Sequence, residues 1–447
     1  MKRKLIILLS TLTFTLPAKS AQLSWSGETK PVISIVPSSS TGLDEVCVAY
    51  QTDELSVGVP AASASEVKWY RYSTLGGGYA EEVTSGISYA DGQSVLGRVE
   101  GDMGYIVETA GRQYCFWVVD YSLHPFSVTS VSEAAEKDCS FTMLDVSGKG
   151  EEIVYYGING RRFTLDRNVT VSYLTLLADT QNDDPSSGET AIPAFVEVRR
   201  EESFASLQSP LRVPAALCPT EFTVSGDRFL REWGEETEAT SATIAPYAVA
   251  TVTTARQEQR DVDNEVGSGS GGGSFGGSAP CRMSFEAAVT DGALFKEWQI
   301  SRSQEFDDAG LRIQELSFDY TFTEEGQTYV RFVCANADGS CEAHGDVYTI
   351  SIGTSSLRCP NAFSPNGDGV NDEWKVSYSS IISFECHIFD RYGHKMTSLS
   401  DPSQGWDGKY KGKTVPSGAY YYVIKAKGAD GKVYDLAGDI NIVNYKQ

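Results

Sequence analysis

At 447 residues the chain is too long for one compact core, and its length predicts two to four domains. A net charge of −23 argues against nucleic acid and anionic lipid as partners, because an acidic surface repels phosphate groups. Many glycines, serines and aromatic residues with few helical periodicities predict an all-β chain. The negative charge lies almost wholly before Cys359, which predicts a domain boundary there. A solvated surface accounts for the acidity, and calcium-binding acidic clusters are the alternative.

The chain starts with the basic stretch Met1–Lys4, followed by an apolar run of about twelve residues, Leu5–Leu16, and small residues up to Ala21. This order predicts a secretory signal peptide over residues 1–21. This apolar run is too short for a membrane-spanning helix, which needs roughly 20 apolar residues. A buried N-terminal helix is the alternative to the signal peptide. No later stretch has spanning length and no cysteine stands near the cleavage point, so we expect an exported, soluble chain without an N-terminal lipid anchor.

Residues 22–130 alternate short apolar runs with turn residues, which predicts one β-sandwich. Cys47 and Cys115 bracket Trp69, the cysteine, tryptophan, cysteine order of an immunoglobulin-like sandwich. Their spacing departs from an antibody domain, and Gln113 stands where such a domain has tyrosine. The prediction is therefore an Ig-like domain.

Residues 131–266 are predicted to form a second β region, either one domain or two, with a polar loop over Asp179–Glu189. The Gly/Ser-rich stretch 267–278 is typical of a flexible linker or a long hairpin loop. A phosphate-binding glycine loop is the alternative, but no Gly-Lys-Ser/Thr follows.

Residues 279–354 carry four strand-like segments in the order Ser284–Ala287, Phe295–Ile300, Asp319–Gly326 and Tyr329–Val333. This order resembles a PKD-type β-sandwich. The resemblance implies a spacer or contact module and favours a body without catalysis.

Nine cysteines in an exported chain predict disulfides rather than catalytic thiols. The pairs predicted from their order are Cys47 with Cys115, Cys139 with Cys218, Cys281 with Cys334, and Cys359 with Cys386. Cys341 is then left over. A bridge between Cys334 and Cys341 is the alternative and would leave Cys281 instead.

Residues 355–447 carry four motifs in a fixed order: Cys359–Asp372, Ile388–Gly393, Gly405–Gly408 and Val415–Tyr420. They resemble the gliding-motility-associated C-terminal domain, the type B sorting signal of type IX secretion. The resemblance implies a small antiparallel β-sandwich, passage across the outer membrane with retention at the surface or release, and docking on the export machinery. It places the sorting motif on Asn361, Phe363, Pro365, Asn366, Gly367, Asp368, Gly369, Asn371 and Asp372, with Arg391, Gly393, Trp406, Asp407, Gly408, Pro416 and Gly418 shaping the fold. The chain departs from this family at Tyr392, where tryptophan is common, and at the two cysteines, Cys359 and Cys386.

The same loop offers oxygen ligands at the spacing of a calcium loop, on Asn366, Asp368, the backbone of Val370, and Asp372. No glutamate follows at the distance that a full calcium loop requires, so the match is partial. Asx and glycine turns produce the same composition without a metal, and a rigid turn is the favoured interpretation. We expect no other cofactor.

Nothing in the sequence nominates an active site. The four histidines lack metal-binding spacing, and no Gly-x-Ser-x-Gly motif occurs. The sequence therefore predicts an all-β chain of tandem Ig-like and PKD-like sandwiches that ends in a small antiparallel sandwich. We expect a non-catalytic surface or secreted protein that acts in adhesion or surface structure. Its ligand is expected to be a surface protein or a glycan. The alternatives are a component of the gliding or secretion apparatus and an enzyme cargo that acts on carbohydrate or peptide.

Overall fold

The computed structural model describes residues 23–109, 112–179, 192–260, 262–267, 275–308 and 310–443. The predicted signal peptide, most of the polar loop after Asp179 and most of the Gly/Ser-rich stretch lie outside these residues. Strands dominate the described part, and its helical elements are single short turns, so the all-β prediction is confirmed. No helix in this part is both long and apolar enough to cross a membrane.

The chain divides into two compact units. Of the described residues, unit 1 holds those within 23–176 and 197–248, and unit 2 holds those within 177–196 and 249–443.

The first sandwich of unit 1 is formed by ten segments. They are β1 (Ser24–Ser26), β2 (Ile33–Ile35), β3 (Glu45–Ala49), β4 (Ser56–Pro60), β5 (Lys68–Tyr72), β6 (Glu81–Val83), β7 (Ile87–Ala90), β8 (Gln93–Leu96), β9 (Met103–Thr109) and β10 (Arg112–Asp120). One sheet has the order β1-β4-β8-β7 and the other β2-β3-β10-β9-β5-β6. Within the second sheet β3 and β10 run parallel. Short 3-10 turns lie at Ser39–Thr41, Ala64–Glu66, Gly77–Tyr79 and Tyr121–Leu123.

The β2-β3-β10-β9-β5-β6 sheet is buried on both faces. All five residues of β3 are buried, and its four apolar residues divide between two hydrophobic clusters. Val46 and Val48 point into a cluster that continues into the next sandwich, whereas Cys47 and Ala49 point into the core of the first sandwich. A strand that is buried on both faces has a continuous run of apolar residues, which explains the sequence of residues 46–49.

The predicted disulfide between Cys47 and Cys115 is wrong. Both residues are thiols. They lie on adjacent strands of the same sheet, where Cys47 is opposite Val118, three residues from Cys115. Because side chains alternate along a strand, this odd offset sends the two sulfurs to opposite faces. Cys47 joins the inner core and Cys115 joins the shared cluster.

The second sandwich of unit 1 follows without a break. Its elements are β11 (Ser127–Glu133), β12 (Phe141–Lys149), β13 (Ile153–Tyr156), β14 (Arg162–Leu165), β15 (Val169–Ala178), β16 (Phe195–Phe204), β17 (Leu211–Pro214), β18 (Thr223–Ser225), α1 (Arg228–Glu232) and β19 (Glu238–Thr240). The sheets have the orders β11-β12-β17, β13-β14 and β16-β15-β18-β19. Its core belongs to the same hydrophobic cluster as Val46, Val48 and Trp117 of the first sandwich. The two sandwiches of unit 1 therefore share one continuous core.

The third sandwich lies in unit 2. It contains β20 (Thr251–Gln257), β21 (Phe275–Gly277), β22 (Cys281–Val289), β23 (Phe295–Ser301), β24 (Leu311–Ile313), β25 (Ser317–Phe322), β26 (Gly326–Ala335), β27 (Glu342–His344) and β28 (Tyr348–Ile352). One sheet has the order β20-β22-β25 and the other β21-β28-β26-β23-β24, with β27 on β26. Because β20 pairs with β22, unit 2 takes up the chain at Val249, upstream of the predicted start at residue 279. Part of the predicted linker, β21, is a strand paired with β28.

The fourth part is the C-terminal domain. It contains β29 (Ser356–Arg358), β30 (Ala362–Phe363), β31 (Ser377–Ser379), β32 (Ile381–Phe389), β33 (Lys395–Leu399), β34 (Lys409–Tyr410), β35 (Lys413–Thr414), β36 (Gly418–Gly428) and β37 (Val433–Ile442). The main sheet has the order β30-β37-β36-β32-β33, and the pairs β29-β31 and β34-β35 lie beside it. The domain has a hydrophobic cluster of its own, centred on Trp374, Ile388, Ile424 and Ile440.

Candidate functional site

The predicted sorting motif lies on a loop between β30 and β31. The motif begins at Asn361, and Phe363, the last residue of β30, is buried in the domain core. β30 is held in the main sheet by parallel pairing with β37, where Ala362 is opposite Asn441. The residues that follow, up to Asp372, are mostly exposed. The motif thus consists of one buried anchor and an exposed loop.

Asp372 organises this loop. Its Oδ1 accepts a hydrogen bond from the amide of Gly367 at 2.7 Å, and its Oδ2 accepts one from the amide of Gly369 at 2.7 Å. Asn366 and Asp368 each accept a hydrogen bond from the amide two residues later, at 3.0 and 2.8 Å. These are Asx turns, and they fix the loop through its own backbone.

The backbone conformation explains the residue types of the loop. Gly367 and Gly369 have φ values of 83° and 84°, and Asn371 has φ of 53°. Only glycine adopts such angles freely, and asparagine tolerates them better than most residues. The pattern Asn-Gly-Asp-Gly-Val-Asn-Asp therefore encodes a specific turn.

The amides of Gly367 and then Gly369 hold the pKa of Asp372 below its usual value, because they stabilise the ionised carboxylate. Asp372 is one of the predicted calcium ligands, and both of its carboxylate oxygens already accept backbone hydrogen bonds. In the described part of the chain, no group of three or more His, Cys, Asp or Glu side chains gathers as a metal site. The side-chain hydrogen bonds of Asn366, Asp368 and Asp372 lie within the turn, and the calcium site on these residues and the backbone of Val370 stays a prediction.

The second motif, Gly405–Gly408, folds against the first. The ring of Trp406, which is buried, lies 5.6 Å from the ring of Phe363. Gly408 has φ of 71°, and a Cβ there would come within 2.9 Å of Cγ of Pro365. Asp407 accepts hydrogen bonds from the amide of Lys409 at 3.1 Å and from its ammonium at 2.8 Å. The structure thus joins two motifs that lie about 40 residues apart in the sequence.

The remaining motif residues shape turns of the domain. At the Arg391–Gly393 turn the carboxylate of Asp390 accepts the amides of Tyr392 and His394, both at 2.8 Å, and Gly393 has φ of 85°. Pro416 accepts a hydrogen bond from Tyr420 Oη at 3.0 Å, and the Tyr420 ring packs on Trp406. Gly418 begins β36 with φ of 147°.

A segment upstream of the domain completes it, and sequence reasoning missed this segment. Asn264 donates from its side chain to the carbonyls of Val376 and Pro402 at 2.7 and 2.8 Å, and Tyr378 donates its amide to the carbonyl of Asn264 at 3.1 Å. Glu265 forms a parallel bridge with Tyr378, and its buried carboxylate accepts hydrogen bonds from Arg260 and Ser278. The stretch is polar and has no periodicity, so no sequence signal identified it.

The predicted disulfides of unit 2 are not formed. Cys281, Cys334, Cys359 and Cys386 are thiols, which contradicts both pairings that the sequence offered for Cys334. Cys386 belongs to the core of the C-terminal domain, and the partly buried Cys359 packs against that core and contacts the Tyr422 hydroxyl. Burial raises the pKa of Cys386 to about 12 and also raises the pKa of Cys359.

Two further cysteine predictions are corrected. Cys218 takes part in no disulfide, which contradicts its predicted pairing with Cys139. Cys341 is disulfide-bonded, so it is not the cysteine left over. Cys139 is disulfide-bonded as well.

Each histidine has an ordinary local partner. His124 contacts Asp102 at 2.9 Å, His344 contacts Glu342 at 2.7 Å, His387 contacts Ser398 at 2.9 Å, and His394 contacts Asp390 at 2.9 Å. His387 also contacts Glu385 at 3.1 Å. Within the described residues, none of these histidines belongs to a group of three or more His, Cys, Asp or Glu side chains that could hold a metal ion.

Comparison with known families gives two matches. Residues 357–437 match the CHU_C type IX secretion signal domain, and residues 130–241 match a fibronectin type III domain. Comparison with curated proteins finds no significant match.

Solved structures give matches of low similarity. One is the tetra-tandem repeat in the extending region of a large adhesion protein, with 14% identity over 88% of this chain and 96% of that chain, and a TM-score of 0.21. Another is the FN1–FN3 part of chicken CNTN1, with 12% identity over 71% of this chain and 99% of that chain, and a TM-score of 0.23. Dimeric latent PorU from Porphyromonas gingivalis matches with 11% identity over 74% of this chain and 35% of that chain, and a TM-score of 0.16. At these TM-scores the matches carry no argument.

The family match covers the loop and both motifs that the structure brings together, from Leu357 to Ala437. It confirms the resemblance drawn from the sequence, including the antiparallel domain that presents the motif. It also implies that the domain interacts with the type IX secretion machinery. The chain therefore carries a type IX secretion signal domain behind a fibronectin type III domain and further β-sandwiches, and it is exported across the outer membrane to the cell surface or the extracellular space.

Proposed function

We propose that the exported protein acts without catalysis, in adhesion or in surface structure, by holding a surface protein or glycan on its sandwiches. The observation that supports this function best is the shared core of unit 1. Val46 and Val48 of the first sandwich belong to the same buried cluster as Val128 and Leu144 of the second. Domains joined only by small polar interfaces move against each other, whereas a large apolar interface holds them together.

A buried ion pair strengthens the same junction. Arg167 of the second sandwich donates to Asp227, to the carbonyl of His124 at 2.7 Å and to the carbonyl of Glu151 at 2.9 Å. Tyr121, at the end of the first sandwich, donates its hydroxyl to the same Asp227 at 3.0 Å. A junction of this kind transmits force from one sandwich to the next, which an adhesive or structural protein needs and which an enzyme does not.

The test compares attachment to surfaces under shear flow for host cells that lack the protein and for the same cells carrying the full chain. We expect attachment to fall in the deletion strain and to return with the full chain, while gliding speed stays unchanged. A chain that lacks residues 359–447 is the matched control, because it supplies the sandwiches without the export signal. We expect it to remain in the periplasm, protected from added protease, and not to restore attachment.

Other results would contradict this function. Unchanged attachment in the deletion strain, with normal surface exposure in the parent, would remove the adhesive role. Lost gliding would favour a component of the apparatus. Release of reducing sugars or peptides by the purified chain would favour the enzyme alternative.

A further inference from the structure

The third sandwich contains an open cleft of about 240 Å³ between its two sheets. Tyr320 and Phe322 of β25 line it on one side, and Thr328 of β26 lines it on the other. Arg302, Asp308 and Glu324 lie around it on the connecting loops. Pockets for drug-sized ligands measure roughly 300–1,000 Å³. The cleft is smaller, so it suits one small group.

Thr328 is the unusual residue of this cleft. Its side chain points inward from β26 together with Val330 and Phe332, which fill the core, and the residue is 6% exposed. Its hydroxyl forms no hydrogen bond with any described residue, and it borders the cleft. The hydroxyl is not one of the side-chain polar atoms that are both enclosed and without a partner, so it is accessible from the cleft. The position therefore offers a ligand in the cleft a hydroxyl that no protein group occupies.

Hydrogen bonds hold Asp308 in place, whereas Arg302 and Glu324 form an exposed ion pair. Asp308 accepts hydrogen bonds through Oδ1 from the hydroxyl of Ser301 and from the amide of Ser303, so Oδ2 remains available. Arg302 donates hydrogen bonds to the carboxylate of Glu324 at 2.6 Å and to the carbonyls of Glu325 and Gln327 at 3.4 and 3.3 Å. Groups fixed before binding lose little entropy when a ligand arrives.

We propose that this cleft binds one neutral pyranose residue of a glycan. The proposal rests on the proposed surface function and names its ligand class. The Tyr320 ring, half-buried and packed edge-on against Phe322 at 4.8 Å, offers an apolar wall to the carbon face of a sugar ring. Thr328 and Tyr320 carry hydroxyls that both donate and accept, which a sugar hydroxyl satisfies on both sides.

The charged side chains around the cleft favour a neutral ligand over an acidic or a cationic one. Asp308 disfavours an acidic sugar, because like charges repel and the pair of Arg302 with Glu324 adds no net charge. A lysine side chain only donates hydrogen bonds and leaves the proton of the Thr328 hydroxyl without an acceptor. Glu324 is already paired with Arg302, so a cation gains less from it. A neutral polyol matches the set of groups better than either charged alternative.

The experiment is saturation-transfer NMR on the purified full mature chain with the methyl glycosides of glucose, galactose, mannose and N-acetylglucosamine. We expect transfer to at least one of them, with millimolar affinity. Thr328→Val removes one hydrogen bond, so it should weaken binding about three- to tenfold. The same variant should unfold at equal or higher denaturant concentration than the wild type. A purely structural threonine would lose stability instead.

Thr321→Val is the matched control. Thr321 lies on β25 and is exposed on the opposite face, so its variant should bind like the wild type. Tyr320→Phe should weaken binding, and Tyr329→Phe, whose hydroxyl contacts Gln327 away from the cleft, should not. No transfer to any of the four glycosides, or equal binding by wild type and Thr328→Val, would overturn the proposal. Attachment assays on the same variants separate the two ideas: glycoside binding without surface attachment removes the proposed function and leaves the cleft.

Discussion

Arg167 donates from Nε to Oδ2 of Asp227 at 2.8 Å, and both side chains are almost fully buried, with exposures of 1% and 0%. Asp227 also accepts the amide of Leu230 at 3.0 Å and so begins α1. One carboxylate thereby connects a helix start, an arginine and Tyr121 of the preceding sandwich. A buried charge that loses its partner is costly, which makes this pair a sensitive point of unit 1.

Arg167→Met should destabilise unit 1 by about 3–5 kcal/mol, because it leaves Asp227 charged and buried without its cation. The measurement is urea unfolding of the full chain followed by tryptophan fluorescence. Arg162→Met is the control, since the pair of Arg162 with Glu152 is exposed and should contribute at most ~1 kcal/mol. Equal effects of the two variants would show that the buried pair adds nothing.

The export loop should depend on the Asp372 carboxylate. Since the amides of Gly367 and Gly369 lower the pKa of Asp372, its stabilising effect is complete above the usual aspartate pKa and is lost as the pH falls through the lowered value. The amide NMR signals of these glycines should therefore stay constant through mild acid and shift only at a pH below the ordinary aspartate range. An earlier shift, in the normal range of aspartate, would contradict the hydrogen bonding seen here.

Asp372→Asn should disturb the same loop, because an amide offers only one accepting oxygen in place of two. Surface exposure of the full chain, measured by protease accessibility on cells, should fall. Asp435→Asn is the control, since Asp435 is exposed on β37 in the same domain, away from the loop. Millimolar calcium should leave the melting temperature of the wild type unchanged if the loop is a rigid turn, and a rise that Asp372→Asn abolishes would favour the calcium alternative.

Local alternation in the sequence predicted the C-terminal domain well. Alternation along the sequence predicts Phe384, Cys386 and Ile388 on one side of a strand and Glu385 on the other, and β32 buries the first three and exposes Glu385. The sequence shows this alternation because one face of an antiparallel sheet is exposed to solvent and the other is buried in the core. The motif residues carried the rest of the prediction, since glycines at fixed places specify turns without reference to distant residues.

Non-local pairing set the limit of the sequence prediction. The parallel register that puts Cys47 opposite Val118 arises from strands far apart in the chain, and it decides that Cys115 faces another core. Order along the chain, which suggested a disulfide, contains no information on that register. The same holds for Thr328, because alternation predicts that it points inward but not that its hydroxyl lacks a partner.

The buried thiols give a chemical prediction. Burial raises the pKa of Cys115 and of Cys334 to about 11, and that of Cys386 to about 12. Only the thiolate reacts with alkylating reagents, so at pH 8 these cysteines should be alkylated very slowly in the native chain. Mass spectrometry after iodoacetamide treatment, with and without urea, measures this directly. Modification in urea but not in buffer is expected, whereas no modification under either condition would mean that these cysteines form disulfides after all.

Asn264 should stabilise the secretion signal domain from outside its own sequence. Asn264→Ala removes two side-chain hydrogen bonds and leaves the carbonyls of Val376 and Pro402 without these donors, at a cost of about 1–3 kcal/mol. Hydrogen exchange on the full chain should show faster exchange near Tyr378, while strands of the third sandwich such as β23 keep their protection. Asn159→Ala, which removes two exposed hydrogen bonds in unit 1, to the carbonyl of Ser40 and from the amide of Arg161, should cost at most ~0.5 kcal/mol. If Asn264→Ala leaves exchange near Tyr378 unchanged, the secretion signal domain is stable without the upstream segment, and the boundary at Cys359 that the charge distribution predicts would be the functional one.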